Sequence, residues 1–256
     1  MNTPLTALVR PPAATFLQAL SRHKKQVPID FPLSLRQHRF YVETLVSLGV
    51  KVDVLEPLDA FPDSTFIEDN AIILDDMALL TSMSATSRRG ETLQLKAAME
   101  RHYKVEILEP PVFVDGGDVL QVGSKIFVGQ STRTNSLAVE AIAKFTRRPV
   151  VPIAVNGALH LKSAVSCLTG ELLLIDPEKL DPAPFEDHSW IEVAHGESNA
   201  ANCLTINGTV LMPSGYPETR ALVEKRGLEV RAMPVSEFEK ADGGLTCLSI
   251  LIPKRT

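Results

Sequence analysis

The chain repeats itself, and the repeat limits the folds open to it more than any other feature. Lys51-Val-Asp-Val-Leu-Glu-Pro57 is followed by Phe66-Ile-Glu-Asp69, and Lys104-Val-Glu-Ile-Leu-Glu-Pro110 by Phe113-Val-Asp-Gly116. Self-similarity at such a period implies supersecondary units that cannot bury their apolar faces alone and must stack on one another. After each copy come an apolar run, a short polar turn and a second apolar run, over residues 70–80 and 118–128, which reads as a β-hairpin. The pattern recurs over residues 163–175 and 202–212, the latter turning at Asn207-Gly208, the pair suited to the positive φ angles of a type I′ hairpin.

A fifth first strand begins at Cys247 and lacks a downstream partner, while the run from Thr6 to Arg10 lacks a local one. Pairing of the two ends, 6–10 with 248–252, accounts for both. Apolar residues at threes and fours predict helices over residues 34–48, 87–102, 134–145 and 217–226, and strands follow near 151–155, 190–193 and 228–232. The third unit is too rich in proline between residues 176 and 185 for a regular helix. The expected architecture is one α/β domain over residues 1–256, a pseudo-fivefold propeller of ββαβ units closed by the N- and C-terminal strands.

With 45% hydrophobic residues, 256 residues can bury a full core. No stretch approaches a membrane span, and the N-terminus lacks a basic region followed by an apolar signal segment, so a cytoplasmic protein with no membrane partner is expected. A net charge of -5 argues against nucleic acid as a partner and favours small cationic ligands. Cys167, Cys203 and Cys247 show no C-x-x-C spacing, which supports neither a disulfide framework nor a structural metal site.

In every unit the unusual polar residues precede the first hairpin strand: Glu68 and Asp69, Asp115 to Asp118, His160 and Lys162, Asn199 and Asn202, and Asp242 to Cys247. Equivalent positions in a ring of repeats lie at equivalent radii. If they face the axis, a thiol, an imidazole and several carboxylates meet in one cavity. A thiolate attacks an electrophilic carbon, an imidazole shuttles protons, and carboxylates hold a cation. Acidic neighbours discourage a thiolate, and a cationic substrate reverses that penalty. The guanidinium group fits, being planar, charged and matched to paired carboxylate hydrogen bonds.

Blander readings compete. Cys247 beside an apolar run could be a small buried hydrophobe, and Asp115-Gly-Gly-Asp118 only a tight turn. His160 could be a hydrogen-bonded structural residue, and Arg88, Arg89 and Arg133 solvated charges at helix starts. Cys167 and Cys203 read as core packing.

The ordered set Phe66-Ile-Glu-Asp69, Ser87-Arg-Arg89, Asp115-Gly-Gly-Asp-Val-Leu120, Arg133-Thr-Asn135, Leu159-His-Leu-Lys-Ser163, Ala200-Ala-Asn-Cys203 and Asp242-Gly-Gly-Leu-Thr-Cys247, with Arg36-Gln-His38, resembles the dimethylarginine dimethylaminohydrolase family of the guanidine-modifying (pentein) superfamily. The motifs run through nearly the whole chain, and the superfamily's fivefold propeller agrees with the repeats. The resemblance implies Cys247 as nucleophile, His160 as general acid/base and Asp115 as the carboxylate orienting His160. It implies Asp63, Glu68 and Asp69 as acidic substrate contacts and Arg88 and Arg133 as the cations for the substrate carboxylate. Leu20 and Ala241 would contact substrate through their backbones. Cys247 is followed by Leu248, so the adjacent second cysteine of some members is missing here. The implied reaction converts Nω-methylated arginines to citrulline with no metal or organic cofactor, and zinc on Cys247 and His160 would inhibit by occupying the nucleophile. Arginine or agmatine deimination and a noncatalytic arginine-binding module are the alternatives. Agmatine has no carboxylate for Arg88 and Arg133, and typical arginine deiminases carry an additional domain.

Overall fold

The computed structural model describes residues 5–22 and 27–253. The described residues form five three-stranded sheets, each holding one antiparallel pair and one parallel pair. The chain divides into two compact units, Asp69–Asn202 and the remainder, Met1–Glu68 with Cys203–Thr256.

The Asp69–Asn202 unit contains three sheets of the same construction. Hairpins Ala71–Leu74/Met77–Leu80, Val119–Val122/Lys125–Gln130 and Val165–Thr169/Leu172–Ile175 are each joined by a parallel third strand, Lys104–Ile107, Val150–Ala154 and Ser189–Glu192 respectively. A parallel strand cannot be reached by a tight turn, so a crossover segment must separate it from the hairpin. In the second sheet that crossover is the helix Leu137–Ala143, narrower than expected. In the third it carries only the 3₁₀ turn Ala183–Phe185, as the prolines imply.

In the first sheet the structure corrects the sequence expectation. The helix expected over 87–102 is broken into the 3₁₀ turns Thr86–Arg88 and Thr92–Leu95 and the short helix Lys96–Glu100. The chain turns at Gly90, φ 122°. This brings Arg88 and Glu91 inward as a buried ion pair, which a continuous solvated helix would not do.

The other unit holds two sheets. Leu204–Ile206 and Thr209–Pro213 form a hairpin through Asn207 (φ 49°) and Gly208 (φ 89°), the expected type I′ geometry, and Glu229–Met233 adds in parallel. In its second sheet the two ends of the chain replace the hairpin. Leu5–Val9 pairs antiparallel with Ser249–Pro253, Thr6 opposite Ile252 and Leu8 opposite Ile250, and Lys51–Val54 adds in parallel. The helix Phe31–Ser47 crosses between, started by the Asp30 side chain, which accepts from the Leu33 N–H at 2.9 Å, and by proline in its first turn. Its Gln37 ties it to the short helix Ser236–Glu239, donating to Ser236 Oγ at 2.8 Å and accepting from the Glu237 N–H at 3.0 Å.

One regularity left no trace in the sequence. A 3₁₀ turn precedes the leading strand of every sheet, separated from it by at most two residues: Ile67–Asn70, Gly116–Asp118, Leu161–Ser163, Ser198–Ala201 and Thr246–Leu248. These turns carry or adjoin the polar residues singled out above.

Candidate active site

In the unit containing both chain ends, the loop before Cys247 is shaped by close approach. Asp242 takes a positive φ of 57°, and the Gly243 N–H donates to the Phe238 carbonyl at 3.0 Å. A Cβ on Gly243 would overlap the Phe66 ring, so glycine is required for the loop to lie against it. Phe16, Phe66 and Phe238 form a ring cluster with centroids 5.8, 5.6 and 6.3 Å apart, mixing edge-on and tilted contacts. Cys247 belongs to the same buried apolar cluster with Leu245 and Leu248, and it forms no disulfide. The Gly244 N–H points at its sulfur at 3.4 Å, a contact that stabilises negative charge there.

Two residues further on, Ser249 is hydrogen-bonded to the Tyr41 hydroxyl at 2.8 Å, fixing the start of the strand that follows Cys247. Burial pushes the Tyr41 phenol well above its usual range. The Ser249 bond opposes that shift and nearby Glu68 and Cys247 add to it, so Tyr41 stays neutral. Asp63 is buried and accepts from the Leu20 N–H at 3.0 Å, which brings two of the expected substrate contacts together. Asp242 accepts from the Arg22 N–H at 2.6 Å, and the adjacent Ala241 is buried. Glu68 is half-buried at the end of this unit.

The Asp69–Asn202 unit holds its own cluster of buried charged residues. His160 is buried, its Nε2 3.1 Å from Asp115 Oδ2 and its Nδ1 3.9 Å from Asp69 Oδ1. Burial by itself would lower the imidazole. The negative charge of Asp69, the Asp115 hydrogen bond and the charge of Asp118 outweigh it and raise the pKa to about 9, so both ring nitrogens carry protons at neutral pH. Burial works against ionised Asp69, but His160, Arg88 and the Gly117 N–H at 3.0 Å hold it down at about 2. Gly117 is required here as well, because a Cβ would stand 2.8 Å from both Asp69 Oδ1 and His160 Nδ1.

Arg88 is buried rather than solvated. Its Nη1 donates to Asp69 at 2.7 Å, and its Nε and Nη2 donate to Glu91 at 3.0 and 2.9 Å. Burial alone would lower it, but Glu91 and Asp69 keep it charged. Arg133 is half-buried, and its Nη1 is sealed from solvent with no hydrogen-bond partner among the described residues, as is Asp115 Oδ1. Asp69, Asp115 and His160 place one ligand atom each within 4.8 Å of one another, a spacing able to hold a metal ion. Asn202 turns to structure, donating to the Lys162 carbonyl at 2.9 Å, and Asn199 is exposed. Burial pushes the Cys203 thiol far up, fitting core packing, while Cys167 is half-buried at a strand edge and raised by burial and by Glu171.

Sequence reasoning did not single out Glu91, fully buried against Arg88, or Thr134, whose hydroxyl accepts from the Asp115 N–H at 3.2 Å. The adjoining motifs Ser87-Arg-Arg89 and Arg133-Thr-Asn135 were the signals available.

The fold is that of the guanidine-modifying, or pentein, superfamily. The described chain matches a crystal structure of the dimethylarginine dimethylaminohydrolase of Pseudomonas aeruginosa, a cysteine-to-serine variant complexed with citrulline, with a TM-score of 0.93 and 33% identity over 98% of this chain and 100% of that one. The N-terminal domain of a cyanobacterial arginine dihydrolase, 22% identical, shares the fold with a TM-score of 0.90 over 98% of both chains. Residues 15–194 match the family described as N,N dimethylarginine dimethylhydrolase, eukaryotic. The N(G),N(G)-dimethylarginine dimethylaminohydrolase of P. aeruginosa is 34% identical over 95% of this chain and 97% of its own length, and that of Streptomyces coelicolor 35% identical over 95% of each. The chain belongs to the dimethylarginine dimethylaminohydrolase family.

Proposed function

We propose that this protein hydrolyses Nω,Nω-dimethyl-L-arginine and Nω-monomethyl-L-arginine to L-citrulline plus dimethylamine or methylamine. The observation that carries the reading is His160, buried with Nε2 3.1 Å from Asp115 and Nδ1 3.9 Å from Asp69, carboxylates that favour the imidazolium needed to give a proton to a departing amine. Cys247 is the nucleophile, and the Gly244 N–H supports its thiolate. The thiolate adds to the guanidinium carbon. The bond from that carbon to the methylated nitrogen then breaks, and the amine leaves with the proton from His160. Water adds to the remaining thiouronium carbon, passing a proton back to the imidazole. Cleavage of the carbon–sulfur bond returns the thiolate, and the remaining hydroxyl proton passes to solvent, leaving the water oxygen as the urea carbonyl of citrulline.

In this reading both compact units serve one catalytic domain. Asp115 orients the imidazole. Asp69 and Glu68 favour the cationic guanidinium, and Asp63 with the backbones of Leu20 and Ala241 takes the α-ammonium end. Arg133 supplies positive charge for the α-carboxylate through its buried, unpartnered Nη1, and Arg88 adds to that charge while pairing with Asp69 and Glu91. No metal or organic cofactor takes part. The test is to follow citrulline and amine release from dimethylarginine, monomethylarginine, arginine and agmatine. Methylarginine turnover well above that of the other two supports the proposal. Ammonia release from arginine at equal or greater rates would replace it with deimination.

A further inference from the structure

We infer that Asp118 is a positioning residue that holds the histidine turn and the Arg133 loop in one fixed frame. The inference rests on the roles proposed above for His160, Asp115 and Arg133. Asp118 is fully buried, and its two oxygens divide their work. Oδ1 accepts from the N–H of Leu161, the residue after His160, at 2.8 Å. Oδ2 accepts from Ser131 Oγ and Thr134 Oγ1, both at 2.6 Å.

Each of those hydroxyls passes the connection on. Ser131 Oγ accepts from the N–H groups of Arg133 at 3.0 Å and Thr134 at 3.2 Å, which fixes the backbone that presents the Arg133 side chain. Thr134 Oγ1 accepts from the N–H of Asp115 at 3.2 Å, the residue that meets His160 Nε2. One carboxylate therefore anchors the backbone of the imidazole's partner, the backbone beside the imidazole, and the loop of the proposed carboxylate reader.

The polarity of the network is set. With both acceptor sites of Ser131 Oγ occupied by backbone N–H groups, its proton must go outward to an acceptor. An amide at position 118 would direct NH₂ donors at one or both hydroxyls or at the Leu161 N–H, so Asp118→Asn breaks the frame at almost unchanged volume. Burial raises the Asp118 carboxyl, and His160 together with the Ser131, Thr134 and Leu161 donors counters this. The charged groups facing His160 are Asp69 on one turn and Asp115 and Asp118 on the next, with Arg88 and Glu91 behind Asp69.

The experiment compares wild type with Asp118→Asn, Ser131→Ala, Thr134→Val and Thr134→Ser, measuring kcat and KM for dimethylarginine and titrating the His160 ring by NMR. Loss of one such hydrogen bond is expected to change a kinetic constant by about tenfold. Ser131→Ala should raise KM with kcat nearly kept, because it loosens the Arg133 loop. Thr134→Val should lower kcat through Asp115, and Thr134→Ser should restore it. Asp118→Asn should do both and lower the His160 pKa. Unchanged kinetics and an unmoved His160 titration in folded variants would overturn the inference, as would parallel losses of stability, kcat and KM without any split. If Asp118→Asn does not fold, the Ser131 and Thr134 variants decide. If wild type makes no citrulline from methylarginine, the hydrolase reading fails by itself, and the His160 titration in Asp118→Asn still tests the positioning role.

Discussion

The two compact units surround their key residues with opposite environments. Cys247 lies in an aromatic and aliphatic cluster whose polar contribution to the sulfur includes a backbone N–H. His160 lies among ionised groups, with Asp69, Asp115, Asp118, Arg88 and Glu91 arranged around or behind it. Burial among apolar groups favours the neutral thiol, so a thiolate there depends on polar support such as the Gly244 N–H. A proton donor to an amine needs carboxylates that hold the imidazolium at a pH where free imidazole is neutral.

Removing either group outright is the most severe way to break this contrast. Cys247→Ser should reduce turnover to background while the protein still melts cooperatively, since the oxygen is nearly isosteric with the sulfur but far less nucleophilic. Mass spectrometry of acid-quenched wild type should find the substrate adduct on Cys247, and an adduct on Cys167 or Cys203 would end the assignment. On the charged side, His160→Gly should lower kcat by roughly 10²–10⁴ with a much smaller change in KM. Asp115→Asn should act on the same step with a smaller loss, and near-native kcat in both variants would place the proton elsewhere.

A finer division lies between the two arginines. Arg88→Ala removes the buried charge paired with Glu91 and one of the two cations facing Asp69, which should cost about 3–5 kcal/mol of stability as well as activity. Arg133→Ala should leave stability close to wild type and raise KM for methylarginine, as expected when a charge-assisted contact of about 1.5–3 kcal/mol is lost. Urea denaturation of both variants separates the cases, and equal destabilisation would erase the distinction.

The mildest probe is pH. The His160 pKa rises from 6.5 to about 9 on folding, so its stabilising contribution is complete below pH 6.5 and is lost as pH climbs through about 9. Asp69 moves the other way, from 3.8 to about 2, and its contribution is present above pH 3.8 and disappears as pH falls through about 2. Melting temperatures of His160→Gln against pH should lose the alkaline decline of wild type, and an identical decline in both would assign it to another group.

Much of this fold was legible because its signals are local and periodic. Alternating apolar residues and Asn207-Gly208 define hairpins without knowledge of the rest of the chain, and the unmatched ends at 6–10 and 248–252 are found by counting strands. The break in the 87–102 segment was not legible, because apolar spacing says nothing of whether Arg88 and Glu91 turn inward to meet each other. The 3₁₀ turns before each sheet are too short to leave a periodic trace. The site divides in the same way. Cys247, His160 and the Asp115–Asp118 turn stand out by residue type and place, whereas Glu91 and the way Asp118 divides its two oxygens depend on neighbours that only the folded chain brings together.

The overlap that any side chain at Gly243 would have with the Phe66 ring couples two stretches of sequence that lie far apart. The phenylalanine of Phe66-Ile-Glu-Asp69 and the glycine of Asp242-Gly-Gly-Leu-Thr-Cys247 are one steric unit, a ring and the hollow that receives it. Divergent descendants of this chain are therefore not at liberty to vary them one at a time. A larger residue at 243 becomes tolerable only where position 66 has already shrunk, and a chain that has lost the ring can regain it only while the hollow is still there. The steric coupling therefore makes the effect of a substitution at either position depend on the residue at the other.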